Sequence, residues 1–281
     1  MNGFSRTPCW KLHLSIGVIA LTLTVSGPGT AQDRHSGAPT CGDPAHFVLV
    51  HGAWHGAWAW YKTKTQLEKL GHTVTTVELP SHGIDHTSPE TVTLDDYVDR
   101  VAEAVDEAGE PVVLVGHSLA GIVISMAAEA RPGAVEKLVY LAALLLEDGQ
   151  SVLDIIALAP DAPLVANMIP GDGVMDVNRE AAADLFYNLS PPTDITLAAS
   201  LMVPNPLLPM VTPISVTEEN FGSVPRYYIT TTEDNTIPSD MQTYMYTVTP
   251  CEAVFTIHSD HSPFFSRPRE LSSILERISN R

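Results

Sequence analysis

The chain has 281 residues, 44% of them hydrophobic, which is long enough for one large domain with a substantial core. No stretch is low-complexity and no unit repeats. The formal net charge of −18 excludes nucleic acid and anionic membrane faces as partners; it reads as solubility and names no substrate.

The N-terminus reads as a targeting segment. Arg6 and Lys11 precede the apolar run Leu12 to Val25, and small residues follow at Gly29 and Ala31. Residues 1–31 are therefore predicted to be a secretory signal cut near Ala31, because the run is short for a membrane span of roughly 20 apolar residues. The product would be extracellular or periplasmic, without stable membrane association. Residues 32–45 read as a loose leader. Cys9 leaves with the signal, and secretion would permit Cys41 and Cys251 to pair.

From residue 46 to 281 apolar strands alternate with amphipathic helices. HFVLV (46–50) is a short apolar strand, and AWAWYKTKTQLEKLG has helical spacing. HTVTTVEL (72–79) alternates like a strand. The helix LDDYVDRVAEAVDEAG follows, with an apolar face at Leu94, Tyr97, Val98, Val101 and Val105. PVVLVG (111–116) is a strand, LAGIVISMAAEARPG a helix and VEKLVYLAALL a strand. The alternation then stops at about 147–222, a stretch rich in Pro, Leu, Met and Ala with helical pieces. It resumes with the strand PRYYITTT, a helix near SDMQTYMY, the strand EAVFTIH and the helix PRELSSILERI.

Near-continuous apolar strands between helices predict a mostly parallel sheet covered on both faces. Ligands bind outside the carboxyl ends of such strands. The interruption is thus predicted to be an inserted, mainly helical cap that roofs the site.

Gly116-His117-Ser118-Leu119-Ala120-Gly121 falls where a buried strand turns into a helix. A sharp turn there demands small neighbours and lifts the serine hydroxyl above the sheet. This is the nucleophile elbow G-x-S-x-G with alanine at its fifth position. A phosphate loop fits less well, since neither G-x-G-x-x-G nor a G-K-[ST] ending is present.

A serine nucleophile needs a base, and the base an orienting acid. The elbow's usual order is serine, acid, histidine, each after a strand. Asp234 follows PRYYITTT, with Glu233 the less favoured acid, and His261 follows the last strand. Asp260 adjoins His261 too closely to turn back onto its ring, and His258 reads as structural. Oxyanion donors are expected at the Ala53 and Leu119 N–H groups, Gly52 letting the first loop approach. His51 and His55 at i, i+4 spacing would suit zinc on a helix, but the segment reads as a glycine loop, so a structural His51 is preferred. His82 and His86 read as solvated.

The segments HFVLVHGAWHGAWAWYK, GHSLAG, DLFYNLSPPTDITLAASLM, ENFGSVPRYYITTTEDNTIP and SDHSPFF resemble the α/β-hydrolase family that holds plant methyl esterases and hydroxynitrile lyases, with bacterial esterase relatives. The resemblance spans about 46–278. It implies an α/β-hydrolase fold, a Ser118–Asp234–His261 triad and oxyanion donors at Ala53 and Leu119. The lyase branch carries threonine after the first loop histidine and lysine after the catalytic one; Gly52 and Ser262 stand there. The resemblance therefore favours hydrolysis of a small-molecule ester, with no cofactor and no metal.

Lactone, amide or carbon–carbon cleavage, lyase chemistry, or binding without turnover remain open on the same residues. Trp54 and His117, with Met202, Leu207 and Met210 from the cap, are the candidate pocket residues. They imply a small to medium hydrophobic ester. Asn188-Leu189-Ser190 matches a glycosylation sequon, but Pro191 follows it and it carries no weight.

Overall fold

The computed structural model describes residues 43–281. The expected signal, most of the leader, Cys9, and Cys41 with its pairing to Cys251 lie outside the described residues. Cys251 itself is half-buried, and burial pushes its thiol up to about 12.

The main chain runs β1 (His46–Val50), α1 (Tyr61–Lys69), β2 (Thr73–Val77), α2 (Leu94–Ala108), β3 (Val112–His117), α3 (Ala120–Ala130) and β4 (Val135–Leu141). An inserted segment follows: α4 (Val152–Leu158), β5 (Met168–Pro170), β6 (Val174–Val177), α5 (Ala182–Phe186), α6 (Pro192–Leu201), β7 (Asn205–Pro206) and α7 (Leu208–Val211). The chain closes with β8 (Arg226–Thr231), α8 (Ser239–Val248), β9 (Ala253–Ile257), α9 (Pro263–Ser266) and α10 (Pro268–Ser279).

Six strands form one parallel sheet in the order β2-β1-β3-β4-β8-β9. Every residue of β1 and β3 is buried, which explains why these strands are apolar on both faces. The outer strands β2 and β9 mix exposed and buried positions. Helix α2 shows how local and tertiary signals agree. The Thr93 hydroxyl accepts from Asp96 N, the Asp96 carboxylate accepts from Thr93 N, and Gly109 ends the helix in the left-handed region. Its buried face includes Tyr97, Val98, Val101 and Val105; each fully buried side chain of that kind contributes roughly 1.5–3 kcal/mol.

The chain leaves β1 towards β2, then returns to β3 on the other side of β1. Val50 is registered with Gly116, so the loop after β1 and the turn after β3 face each other at this switch point.

Two readings need correction. The fourth strand ends at Leu141 rather than running on, because Ala142 takes φ +42° and turns the chain away. The insertion holds, besides its helices, a small antiparallel sheet β5-β6-β7. Strands this short carry no readable period, although Gly171 and Gly173 in MIPGDGVM were a hairpin signal. Among the described residues no helix is long and apolar enough to cross a membrane.

Candidate active site

The turn after β3 is strained. Ser118 has φ +54°, a conformation that costs a non-glycine residue on the order of 1–3 kcal/mol. Backbone bonds hold it: Ser118 N donates to Leu141 O (3.3 Å), and Ser118 O accepts from Gly121 N (3.1 Å) and Leu144 N (3.0 Å). These bonds pull α3 against the chain after β4. A Cβ on Gly121 would lie 2.2 Å from Leu144 O, so the glycine is required at 121, and alanine is tolerated at 120.

Asp234 and His261 meet. His261 Nδ1 lies 2.7 Å from Asp234 Oδ2, with both side chains buried. Asp234 also accepts from Thr231 Oγ1 (2.9 Å), Gln242 Nε2 (3.2 Å), Thr236 N and Ile237 N (both 2.8 Å). All five partners donate, so His261 carries its proton on Nδ1 and leaves Nε2 as a lone pair. Glu233 turns outward to the exposed His258 (3.3 Å), which removes it as the acid and makes His258 a surface residue rather than an internal support. Ser118 Oγ has no hydrogen-bond partner among the described residues.

The loop after β1 lies against the turn. An added Cβ on Gly52 would sit 2.7 Å from Ser118 Cβ and 2.9 Å from His117 Nδ1, so only glycine permits this approach. Two histidines fix successive carbonyls of the loop. His51 Nδ1 donates to Gly52 O (2.9 Å) while its Nε2 accepts from Leu79 N (3.2 Å). His55 Nδ1 donates to Ala53 O (2.7 Å) while its Nε2 accepts from the Tyr187 hydroxyl (2.6 Å). Both nitrogens of each ring are thus occupied, and neither ring has a lone pair for a metal. Burial keeps both rings neutral, pushing His51 well below its ordinary value and His55 down to about 4. Neither Ala53 N nor Leu119 N donates to an acceptor among the described residues, although both residues are buried and line the same cavity.

That cavity holds about 580 Å³ including its open mouth. Ser118 lies on its wall with Ala53, Trp54 and Leu119. The insertion supplies Val152, Ile155, Ile156, Leu164 and Met210; the stretch after β8 supplies Ile237 and Met241. Among the described residues no charged side chain lines it. Of the expected pocket residues, Trp54 and Met210 reach the wall. His117, Met202 and Leu207 do not. His117 turns beneath the site to donate from Nε2 to His261 O (2.8 Å), and burial followed by the charge of His261 pushes it well down. Met202 packs into the core, and Leu207 bonds Gly173 O.

Sequence reasoning missed the α4 wall, whose only signal was the run LDIIALAP, and it misplaced His82. That ring is buried between Asn205 Oδ1 (3.1 Å), Pro80 O and the Tyr97 hydroxyl (3.3 Å), not solvated.

Serine first, acid second and histidine last, each beyond the carboxyl end of a parallel strand, is the arrangement of an α/β hydrolase. The chain belongs to the alpha/beta hydrolase family, whose model matches residues 47–274. It is 36% identical to methylesterase 7 of Arabidopsis thaliana over 84% of this chain and 96% of that protein. Three longer chloroplastic proteins numbered among the Arabidopsis methylesterases are 37–39% identical, and this chain spans 56–63% of their length. Among solved structures, tomato methylketone synthase I superimposes with a TM-score of 0.77 at 28% identity, covering 84% of this chain and 98% of that one. An Arabidopsis methylesterase does so at 0.73 and 29%, with the same coverage.

Proposed function

We propose that the protein is a secreted serine esterase that hydrolyses small to medium hydrophobic carboxylic esters through an acyl-enzyme. One observation carries the reading: a strained Ser118 on the wall of an uncharged cavity, in a chain whose Asp234–His261 pair is closed at 2.7 Å. The methylesterase names of its relatives support ester chemistry.

Ser118 Oγ attacks the ester carbonyl as His261 Nε2 takes its proton. Asp234 holds Nδ1–H and stabilises the imidazolium. The unoccupied Ala53 and Leu119 N–H groups receive the oxyanion, a pair for which losing one member costs ~10²–10³ in rate. The protonated His261 gives its proton to the leaving alcohol, and water repeats the path to free the acid. Apolar walls favour neutral acyl and alkyl groups over charged ones.

Gly52 and Ser262 weigh against lyase chemistry. The space at Gly52 has no room for the lyase threonine, and a serine offers no cation to a departing cyanide.

The test is release of p-nitrophenol from a chain-length series of acyl esters, beside Ser118→Ala. Turnover lost in the variant supports the reading; a folded protein inert on every ester refutes it. For export, mass spectrometry of the secreted product should find Gln32 at its N-terminus.

A further inference from the structure

Four consecutive residues of the insertion reach the three loops that bear Ala53, Asp234 and His261. Tyr187, fully buried, donates its hydroxyl to His55 Nε2 at 2.6 Å. His55 in turn donates to Ala53 O at 2.7 Å, the carbonyl of a residue that lines the cavity. Asn188 Nδ2 donates to Glu233 O at 3.1 Å, directly before Asp234. Leu189 N and Ser190 Oγ donate to Asp260 Oδ2 at 3.1 and 2.7 Å, directly before His261. Just upstream, the carbonyls of Asp184 and Leu185 accept from Asn235 Nδ2 and Thr236 Oγ1.

Asp260 is the pivot of the histidine arm. It is fully buried and has no cationic partner among the described residues. Oδ1 accepts from Ser262 N (3.1 Å) and Ser259 Oγ (3.1 Å) in its own loop and from Ser266 Oγ (2.7 Å) at the end of α9. Among the described residues Oδ2 accepts from the insertion alone. A buried carboxylate stripped of two of its five donors is costly, so the docked insertion favours this shape of the loop around His261. On the oxyanion arm the chain of dependence is Tyr187, His55, Ala53. Both nitrogens of His55 are used, so its ring turns with the Tyr187 hydroxyl.

We infer that Tyr187–Ser190 is a positioning clasp that holds the oxyanion loop, the acid loop and the histidine loop in mutual register. Its residues act through His55, Glu233 and Asp260, not on substrate. The kinetic part rests on the esterase reading. The occupied side chains of Asn188 and Ser190 also assign the apparent sequon a structural use.

The experiment deletes single hydroxyls in the purified protein and reads two signals. In esterase assays Tyr187→Phe and Ser190→Ala should each lower kcat about 10–100-fold with KM changed less than about twofold, since a misplaced donor or base loses transition-state binding only. Ser190→Thr, which keeps the donor, should recover most of the loss. Independently of any substrate, ¹⁵N-histidine NMR should show the low-field His261 Nδ1–H signal moved by Ser190→Ala. Tyr187→Phe should move the His55 signals instead.

Wild-type protein inert on all esters would sink the esterase reading, and the NMR arm would still decide the clasp. Unchanged histidine signals in both variants overturn the clasp. So does a kcat loss that only tracks the unfolded fraction in thermal melts while the folded fraction keeps wild-type signals.

Discussion

Gly52→Ala tests the geometry most directly, because it adds one carbon and no chemistry. The new Cβ would stand 2.7 Å from Ser118 Cβ, 2.9 Å from His117 Nδ1 and 3.0 Å from His117 O. Carbon pairs pack at about 3.5–4.0 Å, so the contact with Ser118 is short by about 1 Å. The relief must come from backbone, since His117 is tied to His261 O and the Ser118 turn to Leu141 and Leu144. Moving the first loop away takes Ala53 N–H from the oxyanion position; moving the turn takes Ser118 from the carbonyl. A displacement of about 1 Å costs on the order of 10²-fold in rate. Overpacking of this kind costs about 1–3 kcal/mol, which lowers Tm by roughly 2–12 °C in a domain of this size. The cavity walls at Ile155 and Met210 are untouched, so the loss should fall on kcat and not KM. Stopped-flow or steady-state ester hydrolysis and calorimetry measure both effects. A Gly52→Ala protein with kcat within about threefold of wild type would refute the close-approach reasoning.

Asp234→Asn should lower kcat ~10⁴-fold with the fold intact by circular dichroism, because the amide no longer selects the Nδ1–H tautomer of His261; a loss under about tenfold would remove Asp234 as the orienting acid. Ile156→Trp should raise KM for long acyl chains more than for acetate, as it narrows the cavity without touching Ser118; equal effects on both would detach the cavity from the substrate. Stability should fall on acidification. His51, His55, His82 and His117 all titrate below 6.5 when folded, burial being the largest cause, and His55 does so at about 4. Below pH 6.5 the unfolded chain therefore binds protons that the native state refuses, and stability falls as pH drops. His55 alone accounts for about 3 kcal/mol between pH 6.5 and 4. Glu78, raised by burial, opposes this with one carboxyl. Denaturant melts from pH 7.5 to 5 check it, and a flat profile would refute it.

The sheet was legible because its central strands are buried on both faces, so HFVLV and PVVLVG are apolar without interruption. The serine turn was legible because close backbone contact admits only small residues, and the order of Asp234 and His261 follows from where strands end. The cavity was far less so. Ile156 and Leu158 share one short apolar run, yet one lines the cavity and the other is 54% exposed. Seven residues give too few turns to define a face. His82 looked solvated because SHG reads as a turn; its partners Tyr97 and Asn205 lie far along the chain. Asp260 was set aside for its nearness to His261, and its bond to Ser190 crosses 70 residues. Local pattern carries periodicity and turn chemistry, whereas partners in space come from topology.

The distribution of strain shows why the insertion is tied so firmly to the site. Among the described residues four non-glycine residues have positive φ, and Ser118, Trp54 and Ala142 belong to the site or flank it. At on the order of 1–3 kcal/mol each, such conformations persist only where neighbours over-determine them. For Ser118 and Ala142 those neighbours are the sheet and the chain just after β4: Leu141, Ile229 and Leu144 supply the backbone bonds, and β3 and β4 are packed into the core. Trp54 has no such support from the sheet. Its indole donates to Met175 O (2.8 Å), and its carbonyl accepts from Val203 N (3.1 Å), both in the insertion. An undocked insertion would therefore let Trp54 relax out of φ +62°, and Ala53, one residue earlier, would turn with it. The shape of the Ser118 turn is stored in the sheet and that of the Ala53–Trp54 loop in the insertion. Substitutions that loosen the insertion should then spare the reactive shape of Ser118 while removing the pocket for its oxyanion.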